Sequence, residues 1–248
     1  QGIAILLEAG VPPGVVQLLP GQGETVGAQL TGDERVRGVM FTGSTEVATL
    51  LQRNIASRLD AQGRPIPLIA ETGGMNAMIV DSSALTEQVV VDVLASAFDS
   101  AGQRCSALRV LCLQDEIADH TLKMLRGAMA ECRMGNPGRL TTDIGPVIDS
   151  EAKANIERHI QTMRSKGRPV FQAVRENSED AREWQSGTFV APTLIELDDF
   201  AELQKEVFGP VLHVVRYNRN QLPELIEQIN ASGYGLTLGV HTRIDETI

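Results

Sequence analysis

The stretch Val36-Arg37-Gly38-Val39-Met40-Phe41-Thr42-Gly43-Ser44-Thr45-Glu46-Val47 decides the fold class. Its first six residues predict a buried strand, and residues 44–59 have the apolar period of a helix that Ser44 or Thr45 can cap. Another apolar run, residues 67–70, predicts the next strand. Because a strand, a turn, a helix and a strand follow one another with short connections, the sequence predicts a βαβ unit and a parallel sheet.

The same alternation continues along the rest of the chain. Apolar runs predict further strands at residues 15–19, 77–80, 108–113, 188–197, 211–217 and 236–241. Helical patterns lie at residues 86–100, 116–133, 151–165 and 222–230, and the first residues predict a helix closed by Gly10. Residues 175–186 are polar and predict a surface loop. The expected fold class is therefore α/β.

The composition excludes several classes of protein. The 248 residues carry 22 Lys and Arg against 32 Asp and Glu, so the net charge of −10 argues against nucleic-acid binding through this segment. No apolar run is long enough for a membrane span, and three cysteines fit a reducing, cytoplasmic location. The four histidines are too scattered to predict a metal site. The chain begins with Gln1 and stops within a polar stretch, so we expect a fragment of a longer protein.

Two turns that follow predicted strands offer binding or catalytic groups. Gly43 and Ser44 open a helix, and unpaired N–H groups there suit a pyrophosphate or a nicotinamide. The alternative, favoured when this motif stands alone, is a tight turn with an ordinary Ser cap. Glu71 follows a strand before Gly73-Gly74, where partial burial would raise its pKa and suit it to general base catalysis. The alternative is a carboxylate that only caps the Gly-Gly turn.

Two further segments carry candidate groups. Cys105 lies in a predicted loop, where backbone N–H groups and Arg104 could favour its thiolate. The alternative is a small buried apolar residue, which is what we expect of Cys112 and Cys132. In Glu206-Val207-Phe208-Gly209-Pro210 the carboxylate could bind a ribose diol and the ring could lie against a cofactor, or the segment is a plain helix end and turn.

Taken together and in this order, five motifs resemble the NAD(P)-dependent aldehyde dehydrogenase superfamily. They are Phe41-Thr42-Gly43-Ser44-Thr45-Glu46-Val47, Glu71-Thr72-Gly73-Gly74, Gly102-Gln103-Arg104-Cys105, Glu206-Val207-Phe208-Gly209-Pro210 and Asn230-Ala231-Ser232-Gly233-Tyr234-Gly235-Leu236. The match covers nearly the whole chain. Residues 69–77 and 100–107 resemble more closely the 1-pyrroline-5-carboxylate dehydrogenase branch, and within it bacterial bifunctional proteins of proline catabolism.

The resemblance implies an oxidation of glutamate γ-semialdehyde to L-glutamate. Cys105 would attack the carbonyl carbon, and the thiohemiacetal so formed would pass a hydride to the nicotinamide of NAD. Glu71 would then deprotonate the water that hydrolyses the resulting thioester.

The resemblance also implies the binding residues. Gly43 and Ser44 would lie near the phosphates of NAD, Glu206 would bind the nicotinamide ribose, and Phe208 would pack beside it. Ser106 would help to hold the substrate carboxylate.

It implies two domains as well, the C-terminal part of a Rossmann-like NAD domain at residues 1–73 and most of an α/β catalytic domain at residues 74–248. FAD would belong only to a separate proline dehydrogenase domain of the parent protein, and some such parents bind DNA through an N-terminal segment. We expect a parent that forms homo-oligomers and that can associate peripherally with the inner face of the bacterial membrane.

The family's oxyanion-hole Asn and adenosine-ribose Lys find no match here, so we expect the chain alone to be poorly active. The alternative is a catalytically incompetent structural or interaction module.

Overall fold

The computed structural model describes residues 1–173 and 187–245. The chain divides into two compact units, Gln1–Thr72 and Gly73–Ile248. The residues predicted to form a loop at 175–186 lie outside the described residues.

The first unit contains a βαβ arrangement, which confirms the predicted order of elements; the strand expected to be buried, however, spans Val39–Thr42 and has no buried residue. Its elements are α1 (Gly2–Glu8), a helical turn at Gly23–Gly27 that continues into α2 (Ala28–Gly32), β1 (Val39–Thr42), α3 (Thr45–Ala56) and β2 (Leu68–Glu71). β1 and β2 are parallel, with Val39 opposite Leu68 and Thr42 opposite Glu71. Their carboxyl ends therefore meet at one edge of this two-stranded sheet.

The predicted buried strand at residues 15–19 is wrong. The segment forms no strand, and Val15, Leu18 and Leu19 are 69%, 70% and 55% exposed. Pro12-Pro13 starts a turn here instead, in which the Val15 N–H donates to the Pro12 carbonyl (3.0 Å). Because that donor is used locally, it does not serve a strand ladder.

The second unit is built on a six-stranded sheet in the order β5-β6-β7-β4-β3-β8. Its strands are β3 (Ala77–Val80), β4 (Val110–Gln114), β5 (Val170–Gln172), β6 (Thr193–Leu197), β7 (Val211–Tyr217) and β8 (Leu238–His241). Among the described strands of this sheet, only the β5–β6 pair is antiparallel. Every residue of β3 and β4 is buried, as expected of parallel strands that are covered on both faces.

Helices cover this sheet and complete one hydrophobic core. They are α4 (Thr86–Phe98), α5 (Asp115–Glu131), α6 (Ser150–Ser165) and α7 (Leu222–Ala231). The predicted stripe of α4 is confirmed, since Val89, Val93 and Ala97 are all buried. Within the described residues, no helix is both long and apolar enough to cross a membrane.

Several predicted elements of this unit were too long, including one helix and three strands. The helix expected at residues 86–100 ends at Phe98, because Ser100 and Ala101 have φ of 56° and 54°. The strand expected at residues 188–197 begins only at Thr193. The α/β fold class itself is confirmed.

Candidate active site

Cys105 lies on an exposed loop between α4 and β4, as predicted. The side chain of Asn76, just before β3, binds the backbone of this loop. Its Nδ2 donates to the carbonyl oxygens of Cys105 (2.7 Å) and Ala107 (2.8 Å), while its Oδ1 accepts from the Thr237 N–H (3.1 Å). Since Asn76 is 3% exposed, a buried amide fixes the backbone of the nucleophile candidate.

The turn that leads into this loop is strained. Ser100, Ala101 and Gly102 have φ of 56°, 54° and 65°, in the left-handed region that costs a residue with a Cβ roughly 1–2 kcal/mol. Gly102 also packs so closely that a Cβ would overlap the Gly209 carbonyl oxygen. The motif Gly102-Gln103-Arg104-Cys105 therefore needs glycine at its first position for both conformation and space.

Arg109 is the buried centre of the site, and the sequence did not point to it. Its side chain is 1% exposed, yet each of its N–H donors has a partner. Nε donates to Glu206 Oε1 (3.0 Å), Nη1 to the carbonyl oxygens of Gly102 (2.7 Å) and Gly209 (3.2 Å), and Nη2 to Arg104 O (3.1 Å) and Glu206 Oε1 (2.8 Å). Arg109 therefore joins the Cys105 loop to the Glu206–Gly209 segment.

Burial lowers the pKa of Arg109 below its usual value, although the charge and hydrogen bonds of Glu206 and, to a smaller extent, the charge of Cys105 oppose that effect. Arg104, which we expected to favour the thiolate, instead donates from Nη2 to the Ala95 carbonyl (3.0 Å).

The Glu206 carboxylate is held on two sides, with its side chain 12% exposed. Arg109 binds Oε1, and the backbone N–H of Gly74 also donates to the carboxylate. A Cβ on Gly73 would overlap Oε2, so glycine is required for this approach. The pKa of Glu206 lies above its usual value because burial outweighs the opposing effects of Arg109 and Gly74.

Phe208 and Ser106 both remain accessible. The Phe208 ring is 45% exposed, and its centroid lies 5.2 Å from Cζ of Arg109, a cation–π contact. Ser106 lines an open cleft of about 490 Å³ whose walls include Asp92 and Asp99. Arg104 and His241 also line the cleft, so acidic and basic side chains face it together, and the expected contact of Ser106 with a substrate carboxylate stays a prediction.

The remaining candidates lie in the first unit. Ser44 caps α3, since its Oγ accepts from the Val47 N–H (3.2 Å), and the Gly43 N–H donates to the Glu71 carbonyl (3.1 Å). Gly43, Ser44 and Glu71 therefore lie together at the carboxyl edge of β1 and β2, as the sequence predicted. Glu71 is exposed, however, so the expected partial burial is not observed.

The other cysteines and the histidines lie outside this arrangement. Cys112 is fully buried, and burial raises its pKa to about 12, as expected of a structural thiol. His213 is a buried β7 residue whose ring contacts His159 (Nε2 to Nε2, 2.8 Å), which confirms its predicted place in a strand with a hydrogen-bond partner. Among residues 1–173 and 187–245, no three His, Cys, Asp or Glu side chains gather as metal ligands would.

Comparison with known proteins identifies the family of this chain. The family model "Aldehyde dehydrogenase family" matches residues 2–248. This chain belongs to the aldehyde dehydrogenase family. It is 99% identical to the "Bifunctional protein PutA" of Escherichia coli (strain K12) over its whole length, which is 19% of that relative. The chain therefore spans about a fifth of the length of that curated relative.

Two solved structures of aldehyde dehydrogenase relatives share the fold. The crystal structure of a bifunctional proline utilization A protein is 46% identical, with a TM-score of 0.89 over 99% of this chain and 24% of that one. A 1-pyrroline-5-carboxylate dehydrogenase from Thermus with bound NAD is 34% identical, with a TM-score of 0.85 over 98% of this chain and 46% of that one.

Two residues of this candidate site were not predicted from the sequence. Asn76 precedes a predicted strand and Arg109 lies within the strand predicted at residues 108–113, so both read as ordinary polar residues next to apolar runs. The one available signal was an arginine directly before the apolar run Val110-Leu111-Cys112-Leu113, where a charge must find partners if it is buried.

Proposed function

We propose that this chain is the aldehyde-oxidising segment of a larger bifunctional protein of proline catabolism. It would oxidise L-glutamate γ-semialdehyde, the open form of 1-pyrroline-5-carboxylate, to L-glutamate with NAD. The observation that carries the proposal is an exposed thiol, Cys105, on a loop that Arg109 ties to the Glu206 carboxylate. The names of the relatives described above support the substrate and the cofactor.

The proposed chemistry needs one nucleophile and one base. The Cys105 thiolate attacks the aldehyde carbon, which forms a C–S bond and a tetrahedral thiohemiacetal. When bound, NAD supplies the acceptor for the hydride of that carbon. Cys105 then carries a thioester, and Glu71 takes a proton from the water that attacks it. The C–S bond breaks, L-glutamate leaves and the Cys105 thiolate is restored.

The residues present fit NAD. Ser44 caps a helix of 12 residues, whose positive N-terminal end suits a phosphate beside Gly43. The Glu206 carboxylate accepts N–H groups from Arg109 and Gly74 and, with about four lone-pair sites in all, can still accept a ribose hydroxyl. The exposed Phe208 ring can lie against the nicotinamide ribose.

Further assignments rest on the resemblance. Ser106 would hold the substrate carboxylate, residues 1–73 would be the NAD-binding part and residues 74–248 the catalytic part. The parent protein would be a cytoplasmic homo-oligomer, with FAD in another domain.

NADH formation by the full-length protein with pyrroline-5-carboxylate tests the proposal. We expect Cys105→Ser to lose at least about a thousandfold in activity, because a hydroxyl is a much poorer nucleophile at neutral pH. Cys132→Ser is the matched control and should retain activity. NADH formation by Cys105→Ser at the wild-type rate, or none by the wild-type protein, would refute it. The second outcome would favour the incompetent module.

A further inference from the structure

Arg109 makes more contacts to the proposed site than burial alone requires. It lies directly before β4, and all its N–H donors are used within two segments that are far apart in sequence, the Cys105 loop and residues 206–209. The opposite edge of the Glu206 carboxylate meets Gly73-Gly74, where there is no room for a Cβ. Three motifs of the second unit therefore converge on one ion pair.

We propose that Arg109 is a positioning residue that sets the Glu206 carboxylate for the cofactor ribose and holds the backbone of the Cys105 loop. The inference rests on the proposed function for the role of Glu206. Arg109 itself is too deeply buried to touch a substrate, so it acts through Glu206 and through the carbonyl groups of Gly102 and Arg104.

The geometry explains why an arginine is needed. Both Nε and Nη2 bind the same oxygen of Glu206, while Nη1 faces the two carbonyl groups of Gly102 and Gly209. A planar guanidinium presents these donors in a fixed fork, whereas a lysine ammonium has only three donors at one point. Arg109→Lys keeps the charge and much of the volume but cannot make all of these contacts.

A double-mutant cycle in the full-length protein tests this positioning role. The variants are Arg109→Lys, Glu206→Gln and the two combined, and KM for NAD, KM for the aldehyde and kcat are measured for each. Arg126→Lys is the matched control, because Arg126 also pairs with a carboxylate of the same unit, Glu196, away from the Cys105 loop. Amide hydrogen exchange of residues 102–107 reports on the loop without any need for turnover.

We expect Arg109→Lys to raise KM for NAD by about tenfold and to leave KM for the aldehyde nearly unchanged. In the Glu206→Gln background, the same substitution should have almost no effect on KM for NAD. Exchange at residues 102–107 should be several-fold faster than in Arg126→Lys. A merely structural Arg109 would shift both KM values alike and would raise KM for NAD equally in both backgrounds, which would overturn the inference. If the wild-type protein forms no NADH, the proposed function fails, but the hydrogen-exchange measurement still tests the role of Arg109 in the Cys105 loop. Unchanged amide exchange at residues 102–107 in Arg109→Lys would refute that role, and faster exchange would support it.

Discussion

At the scale of single residues, Cys105 and Cys112 have opposite surroundings although they belong to one short segment. Cys105 is exposed, whereas Cys112 is completely buried with a pKa of about 12. We expect brief treatment with iodoacetamide to label Cys105 first, because the thiolate is the reactive form and the reagent must reach it. Peptide mapping would show this, and equal labelling of Cys112 or Cys132 would contradict the assignment.

Glu71 can be tested separately from Cys105. In the full-length protein, Glu71→Gln should spare thioester formation and slow its hydrolysis, because a base is needed only to activate water. The expected result is a rapid burst of NADH followed by turnover at least about a hundredfold slower than in the wild type. Loss of both phases would place Glu71 in structure or in activation of Cys105 instead.

Sequence motifs pointed to the candidate nucleophile, base and ribose-binding carboxylate, but not to the buried residues that hold the Cys105 loop. Cys105, Glu71 and Glu206 stand out in the sequence because a thiol or a carboxylate at a loop or strand end can act as a nucleophile, a base or a ligand-binding group. Asn76 and Arg109 donate to the carbonyl groups of Cys105 and Gly209, which are distant in sequence, and such contacts exist only once the chain has folded. Local patterns therefore could not reveal them.

At the scale of elements, the turn after α4 can be compared with a helix interior. Gly102→Ala should destabilise the protein by more than about 1 kcal/mol, because φ is +65° and a Cβ would overlap Gly209. Gly127→Ala, at an exposed site within α5 with nothing within 4 Å of the added carbon, should stabilise it by about 0.5–1 kcal/mol. Urea unfolding would show the two opposite shifts, and a neutral Gly102→Ala would disprove the close approach.

The contact between α6 and β7 makes stability depend on pH. The Arg109 carbonyl can only accept, so Nδ1 of neutral His213 donates to it (3.2 Å) and Nε2 accepts from His159. Burial, together with His159 and Arg109, lowers the pKa of His213 from 6.5 to about 3. Burial, with Lys166 and Lys205, lowers the pKa of His159 in the same direction.

The unfolded state binds more protons at His213 than the folded state does at pH values between 6.5 and about 3. The free energy of unfolding therefore falls as the pH falls through this range. For His213 alone the slope is at most about 1.4 kcal/mol per pH unit. We expect urea unfolding of His213→Gln at pH 7, 6 and 5 to show a shallower dependence than the wild type. The exposed His120→Gln is the control and should keep the wild-type slope. Equal slopes in both variants would contradict the prediction.

The strand pattern predicted most strands of the fold but failed at residues 15–19. The run at residues 77–80 and the run at 15–19 are similar in length and apolar character. The first has parallel partners on both sides in β4 and β8, while the second follows a proline turn and stays exposed. An apolar pattern indicates a preference for burial, but only the packing of distant segments decides whether that burial occurs.

At the scale of the whole molecule, the two units differ in how well each is stabilised. The structure describes all of residues 1–72, and among them only Ala48, Ile55 and Ile66 are buried apolar residues. Their sheet has two strands, and Met40 and Ile69 on it are 83% and 53% exposed. A two-stranded sheet with so small a core is marginally stable in water.

This difference predicts that the isolated chain binds NAD weakly, if at all. Gly43 and Ser44, proposed to meet the phosphates, belong to the weakly stabilised unit, so binding must first order them at a cost in free energy. The chain also spans only 46% of the Thermus relative that holds NAD. If three charge-assisted hydrogen bonds at roughly 1.5–3 kcal/mol each are lost, affinity falls by at least about a hundredfold even after partial compensation. Calorimetric titration of the chain and of the full-length protein with NAD would measure this difference. Micromolar binding by the chain alone would show that its half of the contacts suffices or that a second copy supplies the rest.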